Sequence, residues 1–580
     1  MHLGNFARVR AVSVSVPRLV EIHGRPISTS IVHDPHPGPL AFGSGGPAGN
    51  STAVHTEDVL AMPAEHYGYW ARELGVERSA WGDCHFGENL MLVGLNEHSL
   101  RVGDRLSIGP TALFEVTSPR IPCFKLSWRL GQPESFLKRL VDSGLTGFYL
   151  RVLRAGEVGP GDAVTFTPTK EHSIGVAALS QLLSDESADL TRLRSAIASP
   201  GLGYQASTML RDRITRITDG ERCRLGRWSG WRAVRIARID TESAGVRSFV
   251  LSPKPGERLA DYRAGQFLSV RFAGPDGRKQ TRTWSLSDYA EGGPSYRISV
   301  LRVGSGSAHW HERMRVGDTV EIRSPQGSFA LDRATPFRVV MISAGIGVTP
   351  LLSMLKAHAL RPDPPPLLWI HSARDGAAHA LRSDAERVLG SNALFRSHIV
   401  YTAPRPEDRP GVDFQSKVRL TQGQLGELLG PSYVCRPFGR EIEIPSYAGA
   451  FYICGPRPFE EMVHTALTNL GVPASHIQSE QFGRHSADTS SGLDRAEVRF
   501  VRSGKVAEWT ADSDLSLLDL AEQQDIDAPF SCRAGTCHTC AVRVSRGAVR
   551  YALAPSVPPA LGEALICCAR PDSTPLELDL

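Results

Sequence analysis

The sequence predicts a multidomain chain: a strand-rich segment, three helices, a second strand-rich segment, an α/β segment with a parallel sheet, and a compact α+β unit. Three observations carry this prediction. The chain has 580 residues, too many for one hydrophobic core, so it divides into several domains. Its apolar periodicity changes along the chain, from alternation to helical spacing and back. A polar stretch, RHSADTSSGLD (484–494), sets the last segment apart.

From about residue 10 to 168, runs such as GLNEHSLRVGDRLSIGPTALFEVTSP alternate apolar and polar residues between Gly, Pro and Asp turn signals, the pattern of short strands. From about 170 to 218 the spacing is helical, with breaks near Asp185 and Pro200, which predicts three short helices. Trp231 to about Leu331 is again strand-rich, through RAVRIARIDTESAGVRSFVLSPK, GQFLSVRF and YRISVLRV. From Phe337 to about Phe482 the apolar runs FRVVMISA, PLLWIHSA and AFYICG alternate with helix-like stretches, which predicts βαβ units and a parallel sheet. A compact α+β unit begins near residue 496. No fixed-period repeat is visible, which argues against a solenoid.

Composition narrows the class. Apolar content of 41% and charged content of 22% suit a globular protein, and a net charge of +4 gives no field that would imply nucleic acid. The best apolar run, Phe337 to Leu355, is broken by Arg338, glycines and Pro350, so no membrane-spanning helix is expected. The start, MHLGNFARVR, has no apolar signal core. Ten cysteines, four of them in one spacing motif, suit a reducing compartment, and the expected location is the cytoplasm.

That motif is SCRAGTCHTCAVRV, which sets Cys532, Cys537 and Cys540 at C-x4-C-x2-C; ICCARP adds Cys567 or Cys568 as a fourth thiolate. The spacing is that of a plant-type [2Fe–2S] site, with Ala534 and Gly535 small enough for backbone amides to approach the sulfides. Zinc is the competing reading, for which the spacing is poor. The segment resembles ferredoxins, whose pattern ends C-x3-P; Pro571 then implies Cys567 as the fourth ligand. His538 departs from the small residue usual there.

Upstream, GQF (265–267), RTWSLSD (282–288), GSGS (304–307) and PQGSF (325–329) occur in that order. The set resembles the flavin barrel of the ferredoxin–NADP reductase superfamily. The resemblance implies that Arg282 pairs with a flavin phosphate, Trp284 covers a ring face in place of the usual Tyr, and Ser285 bonds near the isoalloxazine. It also places Gly265, Gln266, Gly304 and Ser307 around the flavin. ISAGIGVTP (342–350) is a glycine-rich turn after an apolar strand, opening a helix at Pro350; Gly345 and Gly347 let the backbone approach a pyrophosphate. With YICGP (452–456) and SEQFG (479–483) it resembles the reductase half of flavohaemoglobins. That implies Thr349, Cys454, Gly455 and Pro456 beside the nicotinamide, and Glu480 and Phe482 near the flavin. FAD is preferred on this likeness, while a ferredoxin following the reductase is similar to the phthalate dioxygenase reductase type, which uses FMN. NADH and NADPH both stay open, Arg374 being either a 2′-phosphate contact or a solvated side chain.

The N-terminal stretches FGENLMLVGLNEHSLRVGDRLSIGPTALFEVTSPRIPCFKLSWRLG and GFYLRVLRAGEVGPGDAV resemble a MOSC domain of the YiiM type, and the helices after them the "3-alpha" domain that follows such modules. In that family the cysteine of PR-x-PC, here Cys123, coordinates the molybdenum of the molybdenum cofactor, a soft thiolate joining dithiolene sulfurs. Arg120 is then placed to meet a phosphate or metal-bound oxygen, and Asn89 and Arg151 lie in other family motifs. Read alone, Cys84, Cys223 and Cys435 are small buried hydrophobes. AVHTEDVLAMPAEHYGYW replaces the family's HGG-type segment, so His55 receives no role.

Together the resemblances imply a β-rich MOSC barrel over 1–168, a three-helix domain over 169–225, and an antiparallel flavin-binding barrel over 226–334. An α/β NAD(P)-binding domain over 335–484, a linker over 485–495 and a β-grasp ferredoxin over 496–580 complete the chain. They further imply a self-sufficient NAD(P)H-dependent reductase of N-hydroxylated small molecules, with no nucleic acid or membrane partner. Two other readings stand beside it: the reductase component of a Rieske-type oxygenase, needing an external oxygenase partner, and a MOSC sulfur-carrier or cofactor-handling module.

Overall fold

The computed structural model describes residues 7–580 apart from 23–24, 51–56, 170–171, 275–278, 334, 336, 436–441, 482–492, 514, 527, 531–534, 536–539, 552–554 and 556–557. Cys532, Cys537, His538, Ala534, Phe482, His55 and nearly all of the polar linker thus lie outside the described residues. The chain forms two units, one of residues 1–218 with 431–445, the other of 219–430 with 446–580.

The first unit is built on an eight-stranded sheet with the order Val164–Thr167, Arg105–Ile108, Ala112–Pro119, Phe148–Arg154, Val59–Pro63, Leu90–Val93, Arg8–Val14 and Asp34–His36. All its pairs are antiparallel except Val59–Pro63 with Leu90–Val93. Alternating inward residues, among them Val12, Phe114, Val116, Phe148 and Leu150, fill a closed apolar core. The polar residues between them face outward, as the period of two requires.

Three helices follow, at Val176–Ser184, Leu190–Ile197 and Tyr204–Arg224. The second starts where the Asp189 carboxylate accepts the Arg192 N–H at 2.9 Å, an N-cap that satisfies one orphan donor. Leu179, Leu182, Leu193, Ala206 and Leu210 form their shared core. The third helix has 21 residues, longer than the short helix the sequence suggests. Its charged carboxyl-terminal turns hide the apolar spacing that ends near Ile217.

The second unit begins with a six-stranded antiparallel sheet, ordered Lys279–Ser285, Phe267–Ala273, Thr319–Ile322, Arg232–Ser243, Val246–Ser252 and Tyr296–Leu301. Next comes a five-stranded sheet in which every pair is parallel, ordered Phe395–Tyr401, Leu367–Ala373, Val339–Ala344, Ala450–Gly455 and Ile477–Gln481. The three inner strands read as nearly continuous apolar runs because both faces of such a sheet are covered by helices. The chain leaves the central strand Val339–Ala344 for one side first and returns to the other through Ala450–Gly455. The two carboxyl ends there form the topological switch point at which open α/β sheets bind ligands.

The last domain has a five-stranded mixed sheet, ordered Lys505–Thr510, Arg495–Phe500, Leu576–Leu578, Ala541–Arg546 and Glu563–Leu565, with a helix at Leu517–Gln523. Its first and last strands, Arg495–Phe500 and Leu576–Leu578, pair in parallel, which makes the β-grasp. Ser516 and Asp519 form a reciprocal capping box at the helix start, and Trp509, Leu517, Val498 and Phe500 lie in its core. Among the described residues, no helix is long and apolar enough to cross a membrane.

Candidate functional site

In the second unit the glycine-rich turn lies at the switch point. Gly345–Gly347 form one 3-10 turn, and the helix opens at Val348. Pro350 was expected to open it but sits inside the first turn, which proline tolerates because no intrahelical donor is needed there. A Cβ on Gly347 would meet the Cys454 carbonyl oxygen at 2.2 Å, so only glycine lets the turn press against the neighbouring strand end. Gly455 is constrained likewise, its Cβ position lying 2.8 Å from Phe459 Cδ1. Thr349 is buried and its hydroxyl donates to the Ile346 carbonyl at 2.9 Å. Pro456 caps the helix Arg457–Asn469. Cys454 is fully buried, and desolvation raises its thiol pKa well above the ordinary value. These features fit a dinucleotide approaching two closely set backbone turns.

The flavin motifs converge on the edge strands of the barrel. Trp284 stacks on Phe272 at 6.1 Å and 25° and leans on Trp310 at 4.7 Å. The Ser285 hydroxyl donates to Glu480 Oε2 at 3.5 Å, joining the flavin motif to the last strand of the parallel sheet. Gln266 spans the turn, accepting from the Arg263 N–H at 2.9 Å and donating to the Gly327 carbonyl at 3.1 Å. Gly265 has φ +103°, and a Cβ there would strike Met354 Cε at 2.4 Å. The Ser307 hydroxyl accepts the Gly304 N–H at 3.0 Å. A Cβ on Gly306 would sit 3.1 Å from Arg282 Nε, so the glycine leaves the guanidinium a cradle of the kind a flavin phosphate needs.

In the iron–sulfur domain Cys540 is buried and Cys567 half-buried. Gly535 has φ +70°, and a Cβ there would lie 2.8 Å from Cys568 Sγ. Gly535 therefore packs closely against Cys568, in the segment that carries both candidates for the fourth ligand.

In the first unit Cys123 is exposed at the start of the helix Phe124–Arg129. Arg120, three residues earlier, is buried at 5% exposure, and its Nη1 has no hydrogen-bond partner among the described residues. A buried guanidinium with an unused donor favours an anionic ligand. An oxyanion or phosphate-bearing group beside an accessible thiol is what the donor set fits. Arg120 is held in place by its N–H, which donates to the Gly147 carbonyl at 2.9 Å.

Asn89 and Arg151 each make a contact within the fold. Asn89 Oδ1 accepts the Leu60 N–H at 3.1 Å, and Arg151 pairs with Glu115 at 3.0 Å.

The sequence reading missed a buried polar group beside them. Glu88 is wholly buried, and its Oε1 accepts the Tyr67 hydroxyl at 2.6 Å. Burial pushes its carboxyl up to about 7, against the Tyr67 hydrogen bond and the Arg120 charge. Ser13 donates to the Glu88 carbonyl at 2.6 Å and contacts His33 Nδ1 at 2.8 Å. Cys84, with φ +62°, is buried in the same group. Its only sequence signal was the density of polar residues in GDCHFGEN.

Fold and site geometry make the carboxyl-terminal part an electron-transfer oxidoreductase module. Comparison with known proteins agrees, domain by domain. Residues 34–165 match the MOSC domain, 233–331 the oxidoreductase FAD-binding domain, 341–465 the oxidoreductase NAD-binding domain, and 501–572 the 2Fe-2S iron-sulfur cluster binding domain. The chain is 35% identical over 272 residues to a flavohemoprotein of Chromobacterium violaceum, covering 45% of this chain and 63% of that protein. It thus spans less than two thirds of that relative. Among solved structures, phthalate dioxygenase reductase is similar at 23% identity, with TM-score 0.44, over 60% of this chain and 98% of that one. YiiM from Geobacillus stearothermophilus is similar at 26% identity, with TM-score 0.31, over 36% of this chain and 99% of that one.

Proposed function

We propose that the chain is a self-sufficient NAD(P)H-dependent reductase of N-hydroxylated compounds, of the hydroxylaminopurine, hydroxylamine or amidoxime type. The overall reaction is R–NHOH + NAD(P)H + H⁺ giving R–NH₂ + H₂O + NAD(P)⁺. The carrying observation is the exposed Cys123 thiol three residues from the buried, unspent Arg120 donor, in one chain with a nicotinamide, flavin and iron–sulfur module.

When bound, the flavin would supply exchange between two-electron and one-electron transfer, the cluster a one-electron relay, and a molybdenum held by Cys123 two-electron oxygen-atom removal. The residues do the rest. Cys123 offers an accessible soft ligand. Arg120 supplies the charge-assisted donor that orients an anionic group at the site. Gly347 and Gly455 admit the dinucleotide, and Arg282 anchors the flavin phosphate. Cys532, Cys537, Cys540 and Cys567 hold the cluster.

The test is Cys123→Ala in the full chain. NAD(P)H-driven reduction of a hydroxylaminopurine should be abolished, while NAD(P)H–cytochrome c activity stays within about twofold, because no part of the flavin and iron–sulfur path has changed. Retained hydroxylaminopurine turnover refutes the reading. So does a wild-type protein that is active only when an oxygenase is added, or that carries a labile persulfide on Cys123 and turns over no small molecule.

A further inference from the structure

Within the second unit a cavity of about 430 Å³ lies where the ferredoxin domain meets the flavin barrel. The barrel lines it with Arg271, Lys279, Arg282 and Arg323, and the ferredoxin with Asp519, Glu522 and Asp525. Opposite charge on the two walls favours one docked orientation and makes it sensitive to salt.

Beside the cavity the two domains share a stack of cations and rings. The Glu321 carboxylate accepts two hydrogen bonds from Arg271, at 2.9 and 3.1 Å. The Arg271 guanidinium lies 4.4 Å from the Trp231 ring centroid. Arg323 lies 5.0 Å from the same ring and 4.8 Å from the ring of Phe530. Every member up to Arg323 belongs to the barrel; Phe530 belongs to the ferredoxin and precedes Cys532 by two residues.

Arg323 has a fixed base, its N–H donating to the Ser269 carbonyl at 3.0 Å, and Phe530 is 3% exposed. A planar guanidinium can offer a face to each of two rings, which an ammonium cannot. Phe530 comes just before the cysteine motif in the chain, so holding its ring holds the ferredoxin domain against the barrel at that end.

We propose that Arg323 is a positioning residue that holds the ferredoxin domain on the flavin barrel through Phe530, and so governs electron passage from flavin to the [2Fe–2S] cluster. Each passage removes one electron from reduced flavin and adds it to the oxidised cluster, with NAD(P)H as the reductant. The proposal rests on the nicotinamide–flavin–cluster order of the module and is independent of the chemistry at Cys123. Because the ferredoxin stays tethered, losing the contact lowers the docked fraction without separating the partners.

The experiment uses the full chain carrying flavin and cluster, mixed anaerobically with NAD(P)H. Flavin bleaching and cluster bleaching are followed separately by stopped flow. Arg323→Ala should leave flavin reduction within about twofold and slow cluster reduction roughly tenfold, the size of one partly desolvated cation–π contact. Arg323→Lys should recover part of the rate, and Phe530→Leu, which keeps apolar volume on the ferredoxin side, should reproduce the slowing. The double variant should be no slower than the slower single one. Independently of turnover, hydrogen exchange should rise in both Trp231 and the helix Leu517–Gln523 when Arg323 is Ala. Unchanged cluster reduction in both single variants, additive slowing in the double variant, or unchanged exchange at both segments overturns the proposal. Failure of the underlying electron order looks different, since wild-type cluster would then not be reduced by NAD(P)H.

Discussion

Gly347→Ala tests the nicotinamide site at the point where the fold leaves least room. The added methyl would stand 2.2 Å from the Cys454 carbonyl oxygen, 2.5 Å from its carbon and 2.9 Å from the Gly455 nitrogen. All three are backbone atoms of a central strand, so no side chain can swing away. Restoring ordinary contact requires the turn and the strand end to part by about 1 Å, and a shift of that size at a reacting centre costs roughly a hundredfold in rate. Overpacking of this kind also costs about 1–3 kcal/mol of stability, which a domain this size tolerates. The assay is NAD(P)H–ferricyanide reduction, with flavin content measured on the same sample. The expected result is full flavin occupancy with kcat/KM for NAD(P)H reduced roughly a hundredfold. Unchanged kcat/KM with flavin in place would refute the claim that the contact of this turn with Cys454–Gly455 shapes the dinucleotide site.

Two further outcomes follow from the same unit. The Asp384 carboxylate accepts from Arg297 at 2.8 Å and from Lys356 at 3.0 Å. Burial pushes its pKa up, but these two cations outweigh burial and hold it well below the usual carboxylate range. The stability it contributes is therefore present above about pH 4 and lost as pH falls below that. Asp384→Asn should cost about 2–3 kcal/mol at pH 7 by leaving the buried Arg297 without a carboxylate, while Lys356 keeps Asp288 at 2.6 Å. In chemical denaturation the gap from wild type should narrow steadily from pH 4 to pH 2; a constant gap would show that the pairing is not its source. In the last domain, Cys567→Ala should abolish the visible iron–sulfur absorption, while Cys568→Ala should keep it with shifted bands. The opposite pattern would assign the fourth ligand to Cys568.

Features held by short contiguous patterns were legible before any coordinates. ISAGIGVTP, YICGP and RTWS each belong to one turn or strand end, where backbone geometry dictates residue type, and Gly347 shows why its turn has no substitute. The C-x4-C-x2-C spacing is equally local, and it falls within the residues 501–572 that match the 2Fe-2S domain. The helix Tyr204–Arg224 was underestimated, since apolar spacing marks a helix only where the helix is buried on one face. Tertiary assemblies left no trace in the sequence. Glu88 meets Tyr67, Ser13 and Arg120 from separated parts of the chain, and Ser13 brings in His33. Trp231, Arg323 and Phe530 also converge only when barrel and ferredoxin are folded. Each of these residues reads alone as an ordinary buried or surface side chain.

The thiols are sorted by access. Cys84, Cys223 and Cys454 are buried, and desolvation raises the pKa of each, so they stay protonated and shielded. Cys123 is the exposed thiol among the cysteines whose burial is described. Among the cysteines outside the cluster domain whose burial is described, a small alkylating reagent therefore meets one open sulfur, at the position proposed to carry the substrate chemistry. That gives the molecule a built-in chemical reporter. Protection of Cys123 from modification would register occupancy of the amino-terminal site directly, without isotope, spectroscopy or turnover.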